Sequence, residues 1–163
     1  MTRQEITEFY RKHNKRLFNI SLRILGDSDE AEEVMQDTIL KFVSTDGKFG
    51  SEAQVSAWLA RTCIRASIDR LRSRQRREAF LEDYAREEEP AETEELQGDL
   101  PDVMQIRAAM DRLPDPYRLV LNLVLIEGMD YGEIAEMTGR KEPTLRSLYA
   151  RGRNKLTVLL KQI

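Results

Sequence analysis

One cysteine, one histidine and one tryptophan are all that 163 residues hold of three chemistry-bearing residue types. Cys63 has no second thiol to pair with, and a single imidazole cannot complete a Cys/His cluster at metal-ligand spacing, so neither a disulfide nor a metal is expected. The same scarcity argues against catalysis. No nucleophile has a histidine base to activate it and no glycine-rich phosphate cradle is present, so the chain is expected to be no enzyme and to need no cofactor. Long apolar runs are missing too. Nothing approaches the roughly 18 apolar residues of a membrane helix. The opening MTRQEITEFY lacks the apolar stretch that follows the basic residues of a secretory signal. No membrane insertion and a cytoplasmic location are therefore expected.

A positive charge balance, the usual mark of a nucleic-acid partner, is absent from the whole-chain figures: net charge is −3 and the isoelectric point about 5.4. The average conceals a segregation. Residues 1–77 carry 15 Lys and Arg against 11 Asp and Glu, net +4; residues 78–102 carry 1 against 11, net −10; residues 103–163 carry 10 against 7, net +3. Two mildly basic blocks thus flank one acidic segment. Residues 84–102, YAREEEPAETEELQGDLPD, contain two prolines, one glycine and almost no apolar side chains. Such a composition cannot bury enough surface to order itself and reads as a flexible linker. The expected plan is all-α: two small helical domains, 1–80 and 103–163, joined by the acidic linker 81–102.

In the first block Ile6, Phe9, Tyr10, His13, Leu17, Ile20, Ile24 and Leu25 recur at helical spacing up to Gly26, and the lone His13 reads as a packing residue. After Gly26-Asp27-Ser28-Asp29, a second helix buries Ala31, Val34, Met35, Thr38, Ile39, Phe42 and Val43. Glu32, Glu33, Gln36 and Asp37 are left on its outer, acidic face. Gly47 and Gly50 break the pattern, and Ser51 with Gln54 reads as a capping box opening a third helix. That helix has Val55, Trp58, Leu59 and Thr62 inward, and Trp58 reads as core by its spacing. A phase shift near Arg61–Ile64 predicts a break or bend before the stripe continues through Ile64, Ile68 and Leu71. Arg61, Arg65, Arg70, Arg72, Arg74, Arg76 and Arg77 accumulate from that point, a dense positive face suited to phosphate oxygens.

The last block is the most informative. Ile106, Met110 and Leu113 begin a helix that Leu113-Pro114-Asp115-Pro116 interrupts, and an apolar helix from Tyr117 to Glu127 is closed by Gly128. Asp130 and Glu133 form a capping box for a short helix, Tyr131–Thr138, with Ile134, Ala135 and Met137 inward. Gly139 supplies a turn. A final helix starts near Glu142 with Pro143 in its first turn and Leu145, Leu148, Gly152, Leu156, Leu159 and Ile163 inward. Short helix, glycine turn and longer helix with a basic outer face read as a helix-turn-helix. The start of its second helix then lies in the major groove, which puts Glu142, Pro143, Thr144, Arg146 and Ser147 near base edges. Arg140, Lys141, Arg151 and Arg153 become phosphate contacts or rim.

On these residues the chain resembles an extracytoplasmic-function (ECF) RNA polymerase sigma factor over nearly its whole length. LRILGDSDEAEEVMQDTILKFV and AWLARTCIRASIDRLRSRQRR are similar to the family's region 2. DRLPDPYRLVLNLVLIEGMDYGEIAEMTG and TLRSLYARGRNKL resemble its region 4. The resemblance implies that Glu32, Glu33, Gln36 and Asp37 bind the clamp helices of the polymerase β′ subunit. It implies that Arg61, Arg65, Arg72 and Arg76 handle the minus-10 element, and that Arg140, Lys141, Glu142, Pro143, Thr144, Arg146, Ser147 and Arg151 serve the minus-35 element. Further partners implied are the β flap, promoter DNA and an anti-sigma factor, the chain being monomeric when free. Two places depart from the family. Arg65 falls where many relatives carry Asn in the loop that reads the minus-10 element, and Arg140-Lys141-Glu142-Pro143 replaces the usual small and apolar residues. The family's promoter sequences therefore do not carry over. A conventional helix-turn-helix regulator with an N-terminal sensing or dimerisation domain is the alternative, and the arginine-rich helix, unexplained in it, counts against that reading.

Overall fold

The computed structural model describes residues 1–45, 49–75 and 100–162, and every regular element among them is helical. The chain divides into two compact units, Met1–Arg74 and Gln75–Ile163. Gly47, Arg76, Arg77, Ile163 and residues 81–99 of the expected linker lie outside the described residues.

The first unit contains α1 (Arg3–Leu25), α2 (Ser28–Val43) and α3 (Glu52–Gln75). Helix α1 opens with a capping box, the Glu5 amide donating to Thr2 Oγ1 at 3.1 Å and the Thr2 amide to Glu5 Oε2 at 3.0 Å. It ends at Gly26, and Asp27 caps α2 by accepting from the Glu30 amide at 2.9 Å. One face of each helix is buried: His13, Leu17, Ile20, Ser21, Ile24 and Leu25 from α1, and Ala31, Val34, Met35, Thr38 and Ile39 from α2. Each large apolar side chain so buried contributes about 1.5–3 kcal/mol before chain entropy is subtracted.

The break expected near Arg61–Ile64 is not there: α3 runs unbroken from Glu52 to Gln75. Its buried stripe includes Ala60, Cys63 and Ser67 as well as Leu59, Ile64, Ile68 and Leu71. Small and polar residues fill the middle of the seam, so the large apolar residues alone give a false change of phase. Where α3 crosses α1, Ser67 Oγ donates to the Cys63 carbonyl at 2.8 Å and meets Ser21 Oγ at 2.9 Å, while Cys63 Sγ lies 3.4 Å from the Leu17 carbonyl. The buried hydroxyls are thereby satisfied. Ser51 Oγ accepts from the Gln54 amide at 3.3 Å, but the Gln54 side chain returns to the Gly50 amide at 2.6 Å, one residue before the expected position.

The second unit contains α4 (Val103–Asp111), α5 (Asp115–Leu121), α6 (Tyr131–Thr138) and α7 (Glu142–Lys161). Asp102, the last residue of the expected linker, belongs to this unit as the capping-box partner of Gln105. Helix α5 starts two residues before Tyr117, with Pro116 in its first turn. It passes into a π-helical turn, Asn122–Ile126, instead of staying α-helical to Glu127. Buried Asn122 donates to the Arg118 carbonyl at 2.8 Å, and its own carbonyl accepts from the Glu127 amide at 3.0 Å. The side-chain bond supports the wider turn. At the other end, buried Arg118 bonds Asp115 Oδ1 at 2.6 Å and the Leu113 carbonyl at 3.2 Å.

Candidate nucleic-acid and polymerase interfaces

The helix-turn-helix forms at the residues expected. Glu133 donates its amide to Asp130 Oδ1 at 2.8 Å and its carboxylate takes the Asp130 amide at 3.3 Å, which fixes the start of α6. Gly139 ends α6 at φ 71°, a left-handed conformation that other residues adopt only under strain. Ile134, Leu145, Leu148 and Leu156 are buried, while Ala135, Met137 and Leu159 are half-buried. Helix α7 can lie close on α5 because Gly152 has no side chain. A Cβ there would come 3.2 Å from Tyr117 Cβ.

The first turn of α7 carries exposed Glu142, Pro143 and Arg146, with Lys141 exposed at its cap and Thr144 and Ser147 half-buried. Arg140 is half-buried. Arg151 is a correction: expected on the outer rim, it is only 6% exposed. Three residues after buried Leu148, its side chain falls on the packed side of α7. Arg153 is the exposed basic residue of that turn. The Arg146 guanidinium sits over the Tyr131 ring, 5.3 Å from its centroid, and 3.7 Å from Glu142 Oε1. Burial, more than the opposing pull of Arg146 and Arg153, raises the Tyr131 pKa and keeps its phenol neutral.

Among the described residues the arginine run does not form one face. Arg61 and Arg65 are exposed, Arg72 is half-buried with its Nε enclosed, and Arg70 and Arg74 turn to α2. Arg70 bonds Glu33 at 2.7 Å and lies 3.9 Å from Asp37; its pKa is raised, chiefly by the Glu33 bond. Arg74 pairs with Glu30 and also donates to the Leu25 carbonyl at 3.0 Å. Arg65 lies within α3 and not in a loop, so the proposed match to the family's loop residue is one of sequence register only.

Glu32, Glu33, Gln36 and Asp37 are all exposed, as expected. The sequence reading missed Leu40, which is 62% exposed four residues after Gln36 on the same outer stripe. An apolar residue in phase with the acidic positions was the available signal. Phe42 and Val43 are only half-buried. Phe42 stacks on Phe9 at 4.4 Å and meets Phe49 and Trp58 at 5.4 and 5.7 Å, so Trp58 belongs to an aromatic cluster at the α2–α3 end of the unit. Beside it a cleft of about 410 Å³ is lined by Asp37 and Lys41 from α2 and by Trp58, Thr62, Arg65 and Asp69 from α3. Of the expected interface residues, Asp37 and Arg65 line this cleft.

Two family models match the chain. Residues 9–77 match the family model for Sigma-70 region 2, and residues 103–156 that for Sigma-70 region 4. The chain is 30% identical to the ECF RNA polymerase sigma factor SigM of Mycobacterium tuberculosis over 160 residues, covering 97% of this chain and 78% of that protein. It is 33% identical to the ECF sigma factor SigE of Mycolicibacterium smegmatis over 154 residues, where it spans 59% of that protein's length. Among solved structures, the sigma factor RpoE in complex with the anti-sigma factor NepR from Bartonella quintana shares the fold, with a TM-score of 0.59, 24% identity and 97% and 98% of the two chains covered. With both sigma regions in order on a two-unit helical fold, the chain belongs to the ECF RNA polymerase sigma factors, which bind RNA polymerase and direct transcription initiation at promoters.

Proposed function

We propose that this sigma factor engages core polymerase through α2, handles the minus-10 region along α3 and reads the minus-35 duplex with the start of α7. The observation that carries the reading is the exposure of two helix faces of different chemistry, one in each unit. Glu32, Glu33, Gln36, Asp37 and Leu40 face outward on α2, whereas Lys141, Glu142, Pro143 and Arg146 face outward at the start of α7. An acidic face with one apolar side chain suits a basic, partly apolar protein surface such as the β′ clamp helices. Exposed donors at a helix start suit base edges. Arg146 is the base reader and Lys141 and Arg153 are phosphate contacts. Arg151 is dropped from the DNA surface because it is buried.

In the first unit, Arg61 and Arg65 are the phosphate contacts, with Arg72 further along α3. Opened DNA would run along the cleft beside Trp58, where a base can stack on an aromatic or guanidinium face. A groove lined by Arg112, Leu113 and Pro114 of the α4–α5 turn and by Asn154, Lys155, Val158 and Leu159 of α7 offers the second unit a place for the β flap. The same exposed faces would be covered by an anti-sigma factor when the chain is held inactive. Free, the chain is a cytoplasmic monomer and a non-enzymatic subunit; no helix among the described residues is long and apolar enough to cross a membrane.

The experiment is transcription by purified core polymerase, with and without this chain, on a pool of promoters. Transcripts from a defined subset that appear only with the chain are expected. Equal transcription in both arms sinks the reading, and sequence-selective DNA binding without any polymerase would favour the conventional regulator instead.

A further inference from the structure

Arg146 projects from α7 into solvent, yet two neighbours restrain it. The ring of Tyr131 lies beneath its guanidinium at 5.3 Å, and Glu142, one turn earlier on α7, holds one of its nitrogens at 3.7 Å. Tyr131 is itself fixed: it is the first residue of α6, is half-buried, and meets Tyr149 of α7 edge to face at 6.3 Å. The ring is therefore anchored to both helices of the helix-turn-helix while its face is given to the arginine.

From this juxtaposition we infer that Tyr131 is a positioning residue for promoter reading: its ring holds Arg146 in a preset direction, so that α7 discriminates guanine from other bases at one minus-35 position. The inference rests on Arg146 being the base reader. An unrestrained arginine samples many rotamers, and the freedom lost on gripping a base opposes the gain from the two hydrogen bonds. A ring face and a carboxylate restrain it in different ways. The Glu142 carboxylate lies 3.7 Å from one guanidinium nitrogen, an ion pair longer than a hydrogen bond, and on closing it would compete with guanine O6 and N7 for the same N–H groups. The quadrupole of the Tyr131 ring attracts the cation without using any N–H donor, so that contact can persist while the base is bound. The phenol hydroxyl plays no part in this role; the face does.

The test uses polymerase holoenzyme assembled with full-length chains and bound to a set of promoters that differ by single bases in the minus-35 element. The chains are the parent, Arg146→Ala, Tyr131→Leu, Tyr131→Phe and the double variant Arg146→Ala/Tyr131→Leu. Tyr131→Leu is expected to lose about two- to five-fold of the base preference, a fall corresponding to an exposed cation–π contact. The loss should appear at the position where Arg146→Ala loses its preference and nowhere else. Tyr131→Phe should keep the parent's ranking, and the double variant should discriminate no worse than Arg146→Ala alone. Thermal unfolding accompanies each chain, and Tyr131→Met, of similar bulk without an aromatic face, replaces Tyr131→Leu should the latter unfold. If Arg146→Ala changes the ranking but the ring-deleted chain matches the parent, or loses affinity equally for all sequences, positioning by Tyr131 is overturned and base reading by Arg146 stands. If Arg146→Ala leaves the ranking unchanged, base reading falls and the positioning role falls with it.

Discussion

His13, the only histidine, is packed in the first unit against Phe9 at 4.5 Å, and burial, with the charges of Lys12 and Arg16 next, lowers its pKa below the ordinary 6.5 against a smaller opposing pull from Glu52. The folded unit thus favours the neutral ring. The unfolded chain takes up a proton first as pH falls, so the stabilisation is complete above about pH 6.5 and is lost progressively below it. Melting temperature should therefore drop between about pH 7 and 5.5 more steeply for the parent than for His13→Leu. Parallel curves for the two chains would remove His13 from the acid response, and the single imidazole resonance gives its titration directly. Gly152 sets a packing limit of another kind, since any side chain there meets Tyr117 and Leu121, both fully buried. Gly152→Val is expected to cost about 1–3 kcal/mol through overpacking. The measurement is chemical unfolding of the full chain; stability equal to the parent's would mean that α7 moves away from α5 at little cost.

On α2, the proposed polymerase contact and the support of the fold separate by residue. Glu33 and Asp37 are tied to Arg70, so reversing their charge disturbs an α2–α3 contact as well as the outer face, whereas Glu32 and Leu40 face outward and Glu32 meets only Gln36 of α2 itself among the described hydrogen bonds. Glu32→Lys with Leu40→Ser should weaken binding of core polymerase at least tenfold, as loss of a central apolar anchor and a charge commonly does, with little change in melting temperature. Unaltered polymerase affinity would move the interface off this face. Helix starts and stops were legible in the sequence because caps are local chemistry: Gly26, Asp27, Asp130 with Glu133, and Gly139 act within a turn of themselves. The seam of α3 was not, because Ala60, Cys63 and Ser67 become core only when Ser21 and Leu17 of α1 arrive opposite them. The π-helical turn at Asn122 likewise hangs on a side-chain bond that leaves no mark on hydrophobic periodicity. For the candidate interfaces, which arginines face outward was not readable. Arg70 and Arg74 are drawn to carboxylates of α2, and Arg151 falls on the packed side of its helix.

At the scale of the whole molecule, the segregation of charge predicts weak DNA binding by the free chain. The first 77 residues carry net +4 and the last 61 net +3, while residues 78–102 between them carry net −10. Affinity for duplex DNA without sequence preference follows the number of phosphates neutralised, so each basic unit alone should bind weakly and salt-dependently. An acidic segment joined directly to both units repels the same phosphates over about a Debye length, roughly 10 Å at 0.1 M salt, and offsets that attraction. Residues 86–99 hold one arginine against seven carboxylates, and removing them changes the chain's net charge from −3 to +3. The free chain lacking 86–99 is expected to bind an arbitrary duplex more tightly than the parent at low salt, with the difference closing as salt rises past the point where exposed charges are screened. Length and charge are separated by a second chain in which the seven carboxylates become Gln or Asn and the spacing is kept. If charge is the cause, this chain should behave like the deletion. Fluorescence anisotropy of a labelled duplex across a salt series reads both. Equal low-salt affinity for the parent and the neutralised chain would remove the acidic segment from the control of DNA binding, and a gain confined to the deletion would assign the effect to tether length instead.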